Sequence, residues 1–126
     1  EVPQDARKIV LTCLAGDPAV RSALEQVADV VVCGDTDVDF VAAHAALVER
    51  GLTRILSEGG PTLFADMARA GVVDELCLSV TPILTGPGAR RIVAGELWAG
   101  GPQQLRLTGL LEENGALFCR YRTTHT

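Results

Sequence analysis

A carboxylate, two adjacent glycines and a helix start follow one another in Glu58-Gly59-Gly60-Pro61-Thr62-Leu63. The preceding Ile55-Leu56-Ser57 is apolar and strand-like, so the run reads as a buried strand that opens directly into a helix. Paired glycines let another molecule reach the main chain, because no side chain stands in the way. The first turn of a helix adds free N–H groups and a partial positive charge, which favour a phosphate. Glu58, at the strand end, sets an acidic group beside that seat. A plainer reading competes: Gly and Pro punctuate strand-to-helix turns anyway, and Glu58 then serves as a surface carboxylate or a partner for Arg54.

Other reactive groups give less. Thr12 ends a strand, where a hydroxyl commonly caps local backbone. Cys33-Gly34-Asp35 reads as a loop, Arg90-Arg91 as a solvated basic pair, and Trp98 as a packing residue. His44 and His125 have no second ligand at metal spacing, so no metal is assigned. There is no Ser-His-Asp set and no P-loop.

The elements that must position these groups alternate between strand and helix. Strands are expected at Lys8 to Cys13, Asp29 to Cys33, Arg54 to Ser57 and Glu75 to Thr81. A first helix is capped by Asp17-Pro18, with Val20, Leu24 and Val27 at helical spacing. A second runs from Phe40 to Arg50, with Val41, Ala45 and Val48 on one face and Gly51 closing it; a third runs from Pro61 to Ala70, with Leu63, Met67 and Ala70 aligned. This alternation predicts an α/β fold with a mostly parallel sheet and right-handed crossovers. Gln104 to Glu112 and Ala116 to Arg122 flank an Asn114-Gly115 turn, so an antiparallel hairpin finishes the sheet. Leu105, Leu107 and Leu111 are expected on one face of it. Pro82 to Pro102 is rich in Gly and Pro and reads as irregular.

Composition narrows the function classes. The 126 residues fit one domain, and a formal charge of −5 argues against a nucleic-acid backbone as partner. No apolar stretch approaches the roughly 20 residues of a membrane helix, and no signal peptide is visible. Cys13, Cys33, Cys77 and Cys119 form no C-x-x-C pair and are expected as buried free thiols in a reducing compartment, most simply the cytoplasm.

Asp39-Phe40, Leu47, Gly51-Leu52, Arg54-Ile55-Leu56, Glu58 to Leu63, Gly71, Val73 to Leu76 and Thr81-Pro82 follow in one order and spacing. That pattern resembles the C-terminal reductase domain of the bifunctional riboflavin-biosynthesis proteins; Gly86-Pro87-Gly88-Ala89-Arg90 is similar to the family's glycine-rich loop. The resemblance implies a dihydrofolate-reductase-like fold of three layers, α/β/α, with NADPH as hydride donor. The substrate it implies is a pyrimidine ribose phosphate, 5-amino-6-(5-phosphoribosylamino)uracil, reduced to the ribitylamino product. It implies cofactor contacts at Gly59, Gly60, Pro61, Thr62, Leu63 and Phe64, with Thr12 near the adenosine 2′-phosphate and Glu58 beside the substrate. It also implies a cis bond between the two glycines and a homodimer formed through late strands.

The family pattern begins with a Ser-Leu-Asp-Gly-like strand and a substrate-phosphate loop, and neither is matched here. Residues 1–126 therefore read as a single, partial reductase domain that lacks an N-terminal half. Two alternatives stand beside this reading. One is a reductase of dihydrofolate or another pteridine on the same fold; the other is a non-catalytic nucleotide-binding fragment that needs an N-terminal partner segment.

Overall fold

The computed structural model describes residues 7–88 and 91–124. The chain forms two compact units, Glu1–Leu56 and Ser57–Thr126. Arg90 and His125 lie outside the described residues.

In the first unit, β1 (Ile9–Thr12) and β2 (Asp29–Val32) pair in parallel, with Ile9 opposite Asp29 and Thr12 opposite Val32. The crossover helix α1 (Pro18–Leu24) starts where its sequence says, because Asp17 accepts a hydrogen bond from the Ala19 N–H at 2.8 Å and Pro18 needs no donor partner. Val27 lies beyond this helix. The second helix, α2 (Phe40–Glu49), is capped by the Asp39 carboxylate, which accepts from the amides of Val41 and Ala42 at 2.9 and 3.1 Å. Gly51, at φ 81°, ends it in the left-handed conformation that glycine adopts without strain. Arg50 ties this end to β2: its Nε donates to Asp29 at 2.8 Å, and Arg7 reaches the same carboxylate at 3.5 Å. The Arg50 hydrogen bond, above all, holds the Asp29 carboxyl below its ordinary range.

The inward face of α2 differs from expectation. Ala43 is buried and Phe40, Ala46, Leu47 and Arg50 are half-buried, whereas Val41, Ala45 and Val48 are exposed. Of the ten residues of α2 only His44 and Glu49 are polar, so its sequence carries no phase to show which side turns inward.

The expected strand over Arg54 to Ser57 is extended but pairs with nothing among the described residues. A strand needs a ladder partner for its N–H and C=O groups, and none is supplied here. Leu56 is accordingly 80% exposed.

The second unit contains α3 (Pro61–Arg69), β3 (Glu75–Val80), β4 (Leu105–Glu113) and β5 (Ala116–Thr123), with the strands in the order β3-β5-β4, all antiparallel. The β4–β5 turn is two residues long, and Asn114 and Gly115 both have positive φ (53° and 79°), the turn that matches strand twist. Ala65 and Ala68 are the buried residues of α3, with Phe64 and Met67 half-buried and Leu63 exposed. The inward face is thus rotated from the expected Leu63–Met67–Ala70 line, because small alanines let the backbone pack closely while Leu63 leans back over Gly59.

A β-bulge between Leu107 and Gly109 inserts Thr108 into β4. Side chains alternate with period two, so one extra residue exchanges the two faces beyond it. Leu105 and Leu107 consequently share a face with Leu110, not with Leu111 as expected. Of the cysteines, Cys33 and Cys119 are buried, Cys13 is half-buried and Cys77 is exposed; all four are free thiols. Cys77 turns outward because β3 is an edge strand whose alternate residues face solvent. No helix among the described residues is long and apolar enough to cross a membrane.

Candidate functional site

The predicted residues Glu58 to Phe64 lie together at the entry to α3. Gly60 is the N-cap of this helix at φ −74° and ψ 177°, and no side chain caps it. Its carbonyl accepts the Phe64 N–H at 3.0 Å, the first helical bond. Pro61 has no N–H, so the amides of Thr62 and Leu63 are the helix-start donors left without a capping side chain. The Gly59 N–H points back to Ser57 Oγ at 3.4 Å. Ser57 was not predicted as a site residue; a serine two residues before a glycine is a recognisable turn signal.

The two glycines are not equivalent. A Cβ added at Gly59 would lie 2.2 Å from Leu63 Cδ2, whereas one added at Gly60 meets nothing within 4 Å. A side chain at Gly59 would require the exposed Leu63 side chain to move. Gly60 is not required by the fold: its backbone is extended and suits any residue, and space stands open beside it. Bare main chain facing open space at a helix start leaves the N–H groups of the first turn open to an approaching anion.

The peptide bond between the glycines is trans, since no cis bond occurs among the described residues. This corrects the expected cis bond; the trans form avoids a cost of about 3–4 kcal/mol.

Glu58 is exposed and forms no ion pair among the described residues, so its carboxylate is free to meet a ligand. Gly59 and Ser57 border a cavity of about 210 Å³ also lined by Phe64, Leu76 and Ile92. Ile92 sits in the stretch read as irregular, where no periodicity could single it out. A larger cavity of about 820 Å³ in the same unit is lined by Ala68, Trp98 and Leu105 among others. Thr12 belongs to the first unit. It ends β1, its carbonyl accepts the Cys33 N–H at 2.7 Å, and its hydroxyl lies beside Gly16, where an added Cβ would stand 3.0 Å away.

The architecture defines an α/β protein of the dihydrofolate-reductase-like class. It superposes on a pyrimidine reductase-like protein from Corynebacterium diphtheriae with a TM-score of 0.77, at 22% identity, over 94% of this chain and 50% of the other. The family model for the RibD C-terminal domain matches residues 2–113, and the chain belongs to that family. The chain is 32% identical over 93 residues to the 2,5-diamino-6-ribosylamino-4(3H)-pyrimidinone 5′-phosphate reductase of Methanothermobacter thermautotrophicus, covering 73% of this chain and 43% of that protein. Against the protein of the same name from Aquifex aeolicus it is 34% identical over 83 residues, covering 62% and 37%. The chain thus spans less than half the length of these relatives.

Proposed function

We propose that the protein to which this chain belongs is an NADPH-dependent reductase of a ribosylamino-pyrimidine 5′-phosphate in riboflavin biosynthesis. The observation that carries the reading is the uncapped, side-chain-free helix start at Gly60, with an unpaired Glu58 carboxylate next to it. NADPH, when bound, supplies the hydride for the sugar carbon of the opened ribosylamino group, and a proton completes the ribitylamino product. The main chain at Gly59 and Gly60 and the amides of Thr62 and Leu63 hold the cofactor's phosphates. Pro61 fixes the direction of the first turn, Leu63 packs against Gly59, and Phe64 walls the adjoining cavity. Glu58 accepts hydrogen bonds from the substrate and orients it. An N-terminal half supplies the remaining substrate contacts, and two copies pair through the late strands. The cytoplasm is the expected compartment.

Two pyrimidines compete as substrate: the uracil form, 5-amino-6-(5-phosphoribosylamino)uracil, and the 2,5-diamino form named in the relatives. The experiment is turnover by the full-length protein with NADPH and, separately, each pyrimidine and dihydrofolate, with the product identified by mass. Addition of two hydrogens to one of the pyrimidines supports the proposal. Turnover of dihydrofolate alone, or of none of the three, refutes it.

A further inference from the structure

The β4–β5 turn carries a reaction of its own. An Asn-Gly pair such as Asn114-Gly115 closes a succinimide readily, because glycine sets no side chain beside the attacking nitrogen. In that reaction the Gly115 nitrogen gives up its proton and attacks the Asn114 side-chain carbonyl carbon. A C–N bond forms, and the side-chain nitrogen takes the proton and leaves as ammonia. Water then opens the ring, giving aspartate from one carbonyl or isoaspartate from the other.

Here the nitrogen is held off that path from two sides. The Gly115 N–H donates to the Glu112 carboxylate at 2.6 Å, a short bond of the charge-assisted kind. That bond must break before the nitrogen attacks, and the carboxylate opposes the negative charge that loss of the proton creates. On the other side, a Cβ added at Gly115 would lie 3.3 Å from Pro82 Cγ, so the glycine is packed against the segment that follows β3. The turn, with φ 53° and 79°, also fixes the torsions about which the nitrogen has to swing. We propose that Asn114 is a site of spontaneous deamidation and that Glu112 is the lock that restrains it. Isoaspartate lengthens the main chain by one carbon, so the altered turn no longer sets Glu113 opposite Ala116. These contacts are local to the hairpin and Pro82, need no co-reactant but water, and stand whatever the chain binds.

The test incubates the full-length protein at neutral pH and follows residue 114 by tryptic mass mapping, with the free peptide 107–120 as the unrestrained reference. The parent should deamidate at least about tenfold more slowly than the peptide, and Glu112→Ala should recover most of that factor. Glu112→Gln keeps an acceptor without the charge, so its rate should fall between those of the parent and Glu112→Ala. Glu113→Ala removes the adjacent acid, which does not take this N–H, and should match the parent. Amide exchange across β5 shows whether each variant keeps its hairpin; if Glu112→Ala loosens β5, Glu112→Gln decides. A parent as fast as the peptide, a folded Glu112→Gln no faster than the parent, or equal acceleration by Glu113→Ala overturns the proposal.

Discussion

Strand β5 and the segment Arg54 to Ser57 are both apolar and strand-like in sequence, yet only β5 becomes a strand. The difference lies in where their partners come from. β5 is joined to β4 by two turn residues, and β3 covers its other edge, so all of its pairing lies within the second unit. Arg54 to Ser57 has no ladder among the described residues. Sequence pattern reports a residue's suitability for a strand; the ladder requires a second strand at hand. The same contrast separates the helices. α3 has polar and apolar residues that segregate, whereas α2 is apolar nearly all round and still exposes Val41 and Val48. A helix apolar on all sides is built to be covered on more than one side.

The largest effect should come from supplying the expected N-terminal half. In a longer form of the protein, amide exchange at Ile55 and Leu56 should slow by about two orders of magnitude or more relative to this chain, while β5 amides change little. Hydrogen-exchange mass spectrometry reads both. Equal exchange at Ile55 and Leu56 in the two forms would break the comparison.

A smaller, local effect is expected at Gly34. Its φ is +103°, and an added Cβ would lie 2.2 Å from the Asp37 carbonyl oxygen. Gly34→Val should therefore destabilise the first unit by about 3 kcal/mol, read by denaturant unfolding, with hairpin protection in the second unit preserved.

The smallest is the Asp29–Arg50 tie. Because the folded-state pKa of Asp29 is depressed, chiefly by its hydrogen bond to Arg50, its stabilisation is present above the unfolded pKa and lost as pH falls through the folded one. Arg50→Gln should lower Tm modestly at neutral pH, and the gap to the parent should close in acid. A gap that widens on acidification would contradict this account of the pair.

Much of this was legible in the sequence where local chemistry decides. Asp17 marks a helix start, Gly51 a helix end and Asn114-Gly115 a hairpin, because each residue satisfies its own neighbourhood. The glycine turn was legible for the same reason, including the free amides of α3. What stayed hidden depends on distant partners. The inward side of α2 has no phase in an all-apolar helix. The bulge at Thr108, which moves Leu111 to the opposite face, carries no turn residue that would signal it apart from Gly109. The different demands on Gly59 and Gly60 emerge only when Leu63 is seen folded back over the first of them.

That difference provides the most direct measurement: NADPH titrations of the full-length parent, Gly60→Ala and Gly60→Val. Since nothing lies within 4 Å of an added Cβ at Gly60, both variants should fold with unchanged Tm. Affinity should fall stepwise, by at least about 100-fold for Val, a loss of about 2.7 kcal/mol. Full affinity in a folded Gly60→Val would contradict a cofactor phosphate resting on that main chain.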